Sequence, residues 1–180
     1  MENCVIQEIT YFDELKELCL EANKINHQNA DNYDVDKMHK RWNNYHIFTK
    51  LMIGDEVVSF AGIYDYGQNL VRVADRLFTF PKYRQNYLTK SIVNPLRPAL
   101  QYIIPHHTQW ALDKGFDCFF SIQELKKRNS LIRLTKQLPI TLGYRVLPDM
   151  YVTCNPSNPK CIQNISSTTD NIHLPKHLVQ

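Results

Sequence analysis

The sequence predicts an α/β (α+β) protein with a mixed, mostly antiparallel central sheet, helices on both faces and a β-α-β crossover. Three observations predict it. An amphipathic helix follows a short first strand. Three strands joined by two tight turns fill residues 46–80 as a meander. A helical stretch then leads to a short apolar strand, Cys118–Ile122, which needs cover on both faces.

The first strand runs from Cys4 to Thr10. In the helix after it, Phe12, Leu15, Leu18, Cys19, Ala22 and Ile25 recur at three- and four-residue steps and form one apolar stripe. Asp13 and Glu14 lie in its first turn, where acidic groups suit the helix dipole. Asn26–Asp34 is polar and reads as a loop, and Val35–Tyr45 as a second short helix with Met38 and Trp42 four apart. His46–Ile53, Val57–Tyr64 and Leu70–Phe80 are the meander strands, separated by Gly54-Asp55-Glu56 and Tyr66-Gly67-Gln68-Asn69. Strict alternation in the third puts Val73, Asp75, Leu77 and Thr79 on one face, and Arg72, Ala74, Arg76 and Phe78 on the other.

Pro81 stops that strand because it has no amide hydrogen to give the ladder. Leu88–Lys114 is mostly helical, with Pro95, Pro98 and Pro105 dividing or kinking it near Pro105, and Gly115 ends it. Lys127–Leu138 reads as a helix with Leu131, Leu134 and Leu138 inward. Tyr144–Val146 and Met150–Cys154 read as a closing pair of strands. From Asn155 the composition turns to Pro, Asn, Ser and Thr. The predicted organisation is one domain over residues 1–154 and an irregular or partly disordered tail over 155–180.

The chain has 180 residues, enough for one well-filled core, with 43% hydrophobic and 22% charged residues. A net charge of +3 carries no argument for nucleic acid. No apolar run approaches the roughly 20 residues of a membrane-spanning helix. The start, Met1-Glu2-Asn3-Cys4, has no basic stretch leading into an apolar one, so the expected location is the cytoplasm. Five cysteines without a C-x-x-C pair fit a reducing compartment. His106 and His107 are adjacent, so on a helix they point about 100° apart and cannot chelate together. No metal site is expected.

Leu77-Phe78-Thr79-Phe80-Pro81-Lys82-Tyr83-Arg84, then Asn129 at the start of a helix and Gly143-Tyr144 after it, stand in that order on those elements. Over roughly residues 1–154 this resembles the GNAT (N-acetyltransferase) superfamily, whose fourth strand ends in a pattern like L-x-V-x-P-x-Y-R. The glycine-poor, turn-poor style is similar to GNAT-like proteins of bacterial viruses. The resemblance implies a use for the fold. Two central parallel strands splay apart, and acetyl-CoA lies where they part. Its pantetheine pairs with the backbone of Leu77, Phe78 and Thr79. Its pyrophosphate sits on the loop Arg84, Gln85, Asn86, Tyr87, Leu88, Thr89 and Lys90, where free amides and a helix dipole favour an anion; Asn129 belongs to the same cofactor-binding set.

The chain departs from the family at two points. The usual loop is R/Q-x-x-G-x-G/A, with glycine where the backbone approaches phosphate oxygens; here Tyr87 and Thr89 hold both small positions. Arg84, Lys90 and the Thr89 hydroxyl remain as anion ligands for a differently shaped loop. Many members also carry a tyrosine acid seven residues after the asparagine, where this chain has Lys136.

The reaction implied is attack of an amine, from a small molecule or a protein, on a thioester. It needs a base and donors for the developing oxyanion. Asp75 and Glu124 are the carboxylates offered as base. The competing reading pairs Asp75 with Arg72 or Arg76, and Glu124 with Lys127 or Arg128. Lys126, Lys127, Arg128, Arg133 and Lys136 read as a solvated helix face, a seat for the 3′-phosphate of CoA, or a contact for nucleic-acid backbone. Trp42 and Trp110 read as core. The alternative to a transferase is an inactive protein of the same fold used for binding or assembly.

Overall fold

The computed structural model describes residues 4–25, 33–83, 99–123, 144–153 and 162–169. They fall into two compact units. The first joins residues 1–64 with 74–107, the second 65–73 with 108–180.

In the first unit, β1 (Cys4–Glu8), β2 (Tyr45–Ile53), β3 (Glu56–Asp65) and the second half of β4 (Leu70–Thr79) lie in that order. β1 and β2 are antiparallel, as are β2 and β3. Gly54 turns the β2–β3 hairpin with φ +57, a left-handed conformation that glycine adopts without a Cβ penalty. Helix α1 (Phe12–Ile25) buries Leu15, Leu18, Cys19 and Ala22, the stripe read from the sequence. Helix α2 (Val35–Arg41) is capped by the Asp34 carboxylate, which accepts from the Lys37 amide at 3.0 Å. One 3-10 turn, Trp42–Asn44, follows. Tyr45, expected as the last helical residue, instead opens β2.

The unit's core has two layers. Leu15, Leu18, Cys19 and Ala22 of α1 and Met38 of α2 pack with Phe48, Phe60, Phe78 and Phe80. Leu51, Val58 and Ala61 pack instead with Ile103, from a π-helical segment Ala99–Ile103. Helical residues therefore cover the strands from both sides. Pro105 stands at the start of α3 (Ile104–Asp113), where the π-helical path becomes α-helical. A proline there has no amide hydrogen for the Gln101 carbonyl, the bond that a continuous α-helix would have made. The part of the expected long helix before Ala99 lies outside the described residues.

In the second unit the strand order is β4, β5 (Asp117–Gln123), β7 (Ile162–Ser167), β6 (Arg145–Thr153). β4 and β5 are parallel, with α3 between them in sequence; β7 is antiparallel to both β5 and β6. The β3–β4 turn puts Gln68 at φ 52 and Asn69 at φ 62, with the Leu70 amide on the Gly67 carbonyl at 3.0 Å, the primed turn that suits a hairpin. Helix α3 ends as expected at Gly115, φ +79. The Gly115 amide bonds to Leu112 and the Phe116 amide to Ala111, a Schellman closure.

Two expectations are corrected here. Tyr144–Val146 and Met150–Cys154 are not a pair of strands: Arg145–Thr153 is one strand with an irregularity between Leu147 and Tyr151. Its partner is β7, inside the stretch expected to be an irregular tail. Ile165 and Ser167 are fully buried there. The helix expected at Lys127–Leu138 lies outside the described residues.

Candidate active site on the fourth strand

β4 pairs with β5 only at Leu70–Asp117, Val71–Cys118 and Arg72–Phe119, yet β4 runs on to Thr79. Immediately beyond the last pair, Ala74 has φ 52 and Arg76 has φ 55. Left-handed backbone at a residue with a Cβ costs roughly 1–2 kcal/mol, so two in one strand demand compensation. Burying Phe78 and Phe80, at about 1.5–3 kcal/mol each, is large enough to supply it. The kinks also break the alternation. Val73 and Asp75 are buried, but Leu77 then turns outward, 38% exposed, while Phe78 turns into the aromatic core. The predicted face of Val73, Asp75, Leu77 and Thr79 is therefore interrupted after Asp75.

Side chains from three other elements hold the kinked stretch. The Ala74 amide donates to His107 Nδ1 at 3.1 Å. An amide can only donate, so Nδ1 is the bare nitrogen. Nε2 then carries the hydrogen and donates to Thr49 Oγ1 at 2.7 Å. Burial, helped by the neighbouring His106, pushes the His107 imidazole down to about 3, so it is neutral near pH 7. The Arg76 carbonyl accepts from the Tyr33 hydroxyl at 2.8 Å. The Phe78 carbonyl accepts from Ser59 Oγ at 2.6 Å, and Ser59 Oγ lies 3.1 Å from Thr79 Oγ1.

Asp75 sits between the two left-handed residues, 7% exposed, and accepts from the Tyr45 hydroxyl at 2.7 Å. Burial and the Asp75 charge push the Tyr45 phenol far above its ordinary range, so it stays a neutral donor. The Tyr45 ring reaches Asp75 across Gly62, where a Cβ would come within 2.6 Å of both Tyr45 and Phe48. Tyr64 meets Tyr45 edge-on at 5.0 Å. Arg72, weighed as an ion-pair partner of Asp75, donates to Ser121 Oγ at 2.6 Å. Chemically, this is a buried carboxylate hydrogen-bonded to a tyrosine, on a strand whose parallel ladder has stopped.

At the strand's end, Glu56 takes hydrogen bonds from the Lys82 ammonium, at 2.5 Å, and the Tyr83 hydroxyl. These hold its carboxyl below the usual range. Tyr83, the tyrosine of the strand-end pattern, is thus tied back to the start of β3.

Of the residues read as site residues, Asp75, Leu77, Phe78 and Thr79 are on this stretch, with the Phe78 ring in the core rather than at the surface. Arg84, Gln85, Asn86, Tyr87, Leu88, Thr89, Lys90, Glu124 and Asn129 lie outside the described residues, as does the basic cluster from Lys126 to Lys136. Tyr144 is no candidate acid. Its hydroxyl is buried against Thr108 Oγ1 at 2.7 Å and Cys118 Sγ at 3.1 Å, and burial drives its ionisation up. Tyr33, Tyr45, Ser59 and Gly62 were not foreseen. Gly62 carries the one available signal, a glycine inside an apolar strand, which marks a close approach. Trp42 is half-buried, stacked on Phe48, and Trp110 is half-buried on Phe116. Among the described residues, no helix is long and apolar enough to cross a membrane.

No family model matches the chain, and no curated protein matches it. Solved structures do. The ribosomal-protein-S18-alanine N-acetyltransferase of Escherichia coli superposes with a TM-score of 0.59 at 12% identity, covering 96% of this chain and 100% of that one. YncA of Salmonella typhimurium, a putative acetyltransferase solved with its cofactor acetyl-CoA, gives 0.59 at 12% identity over 96% and 98%. A GNAT-superfamily phosphinothricin acetyltransferase from Sinorhizobium meliloti, in complex with AcCoA, gives 0.60 at 11% identity over 93% and 88%. The chain has the fold of the GNAT N-acetyltransferases.

Proposed function

We propose that the chain is an acyl-CoA-dependent N-acyltransferase that moves an acetyl group from acetyl-CoA to an amine of a small molecule or a protein. The observation that carries this reading is the early end of the β4–β5 ladder at Arg72, followed at once by the left-handed Ala74 and Arg76. Two of the similar structures contain acetyl-CoA, which supports the same co-substrate here. The pantetheine arm would run along β4 at Leu77–Thr79, where the Leu77 side chain is open to it. The pyrophosphate would fall to the loop of Arg84, Gln85, Asn86, Tyr87, Leu88, Thr89 and Lys90, and Asn129 would belong to the same set.

The chemistry is direct transfer. The amine nitrogen forms a bond to the thioester carbonyl carbon, the carbon–sulfur bond breaks, and CoA leaves as a thiolate that takes a proton from solvent. The proton shed by the amine goes to a carboxylate. Asp75 is the proposed acceptor of that proton, because it is buried, held by the Tyr45 hydroxyl and set in the kink. Glu124 is the rival.

A second reading, an inactive protein of this fold used for binding, is favoured by Tyr87 and Thr89 in place of two small residues. Calorimetric titration with acetyl-CoA, followed by thiol release in the presence of candidate amines, separates the two. Micromolar binding with amine-dependent release supports the transferase. Absence of binding up to millimolar acetyl-CoA overturns it and leaves the binding protein.

A further inference from the structure

We propose that Tyr33 and His107 are positioning residues that together fix the kinked half of β4, and with it the direction of Asp75. Its consequence for acetyl-CoA rests on the transferase reading above; its structural content does not.

Ala74 and Arg76 are both left-handed and neither is glycine, so the kinked path persists only where its surroundings over-determine it. Two polar side chains do so, one on each kinked residue and one from each side in sequence. His107, from α3, takes the Ala74 amide; Tyr33, from the segment leading into α2, gives its hydrogen to the Arg76 carbonyl. Both are themselves anchored. His107 is held by Thr49 of β2 at 2.7 Å. Tyr33 is held by two hydrogen bonds to the Asn23 side chain on α1, with its amide donating at 2.6 Å and its carbonyl accepting at 2.8 Å. The Tyr33 ring also leans on Phe60 and Phe78, centroids 5.7 and 6.2 Å away.

Two chains of contacts thus end on β4: Asn23–Tyr33–Arg76 and Thr49–His107–Ala74. Asp75 is the residue between their end points. With both in place, Asp75 faces Tyr45, and Leu77 turns outward where Phe78 turns in. With either removed, the relaxation of a left-handed residue is opposed by the burial of Phe78 and Phe80 and by one side-chain hydrogen bond fewer. The strand then regains plain alternation, which returns Leu77 to the face of Asp75 and carries Phe78 off it, so Asp75 loses its present setting.

Three substitutions test this. Tyr33→Phe removes one oxygen and keeps the ring against Phe60 and Phe78, so folding survives it. His107→Leu removes the acceptor. His107→Asn returns an acceptor at about the Nδ1 position. The readouts are backbone amide shifts from Asp75 to Thr79 by NMR and the Kd for acetyl-CoA by calorimetry. The expected result is displaced amide shifts over that stretch and about tenfold weaker acetyl-CoA binding in Tyr33→Phe and His107→Leu, the size of one lost hydrogen bond. His107→Asn is expected to recover what His107→Leu loses. A lower melting temperature with unmoved shifts and unmoved Kd would mean ordinary structural roles and overturns the proposal. If the unsubstituted protein binds no acetyl-CoA, the transferase reading fails by itself, and the amide shifts alone decide the clamp.

Discussion

The Tyr45 hydroxyl meets the Asp75 carboxylate at 2.7 Å although a whole strand, β3, lies between their own. Gly62 makes that reach possible, since any Cβ there would stand within 2.6 Å of the Tyr45 and Phe48 rings. Gly62→Ala should therefore cost about 1–3 kcal/mol by overpacking. Tyr45→Phe, which takes a donor from a buried carboxylate, should cost about 1.5–3 kcal/mol. Urea unfolding of the two variants measures both. A Gly62→Ala protein as stable as the parent would show that the rings move aside freely.

Asp75→Asn tests the carboxylate as base without removing the acceptor that Tyr45 uses, because the amide oxygen remains. Positioned proton transfer contributes roughly 100- to 10,000-fold, and the turnover of acetyl-CoA with an amine should fall within that range. The Kd for acetyl-CoA should change little. Unchanged turnover in Asp75→Asn, with loss in Glu124→Gln, would transfer the role to Glu124.

His107 makes stability depend on acid in a defined window. The folded imidazole ionises near 3, the unfolded one near 6.5. Above the upper value neither state is charged there and the residue adds no slope. As pH falls from 6.5 toward 3 the unfolded chain takes up a proton that the folded one refuses, so stability falls by up to about 1.4 kcal/mol per pH unit. His107→Asn removes this slope and no other. The stability gap between parent and variant, measured by urea unfolding from neutral pH down to about pH 4.5, should shift steadily against the parent. A constant gap would mean that His107 is charged, or exposed, in the folded protein.

Much of the frame is legible in the residues. The stripe from Leu15 to Ala22 has one helical reading, and Pro81 and Gly115 end their elements for local reasons. The kink in β4 is not legible, because Ala74 and Arg76 carry no glycine-like signal and the apolar alternation of Leu70–Phe80 runs through them. The conformation is imposed by His107 and Tyr33, 33 and 43 residues away. Tyr45 reads as helical because Met38 and Trp42 set a four-residue rhythm, and only its pairing opposite Tyr64 makes it a strand residue. β7 is hidden for the same kind of reason. Gln163-Asn164 and Ser166-Ser167 have the composition of a tail, and their strand character comes from two neighbours, one of them more than 40 residues away.

Those pairings give β7 a measurable weight. It bonds to Phe119–Gln123 on one side and to Arg145–Thr153 on the other. Ending the chain at Thr153 would strip both ladders of their shared partner. Amides of Phe119–Gln123 and Arg145–Thr153 should then lose most of their protection from hydrogen exchange, while those of β2 and β3 keep theirs. Full protection of Phe119–Gln123 in the shortened chain would show that the second unit stands without β7.

Cysteine reactivity gives a test that needs no ligand. Cys19 lies wholly inside the α1 core, and burial pushes its thiol up to about 12 against a smaller opposing pull from Arg76. Cys118 is also raised, first by burial, and its sulfur touches the Tyr144 hydroxyl. Cys4 is only half-buried. The thiolate is the reacting species and access limits it further. Iodoacetamide at neutral pH should therefore label Cys4 well before Cys19 or Cys118, as resolved by peptide mass spectrometry, and the difference should vanish in denaturant. Labelling of Cys19 at the rate of Cys4 in the folded protein would mean that α1 lifts from Phe48 and Phe60 on the timescale of the reaction, and the inward face assigned to the helix would have to be abandoned.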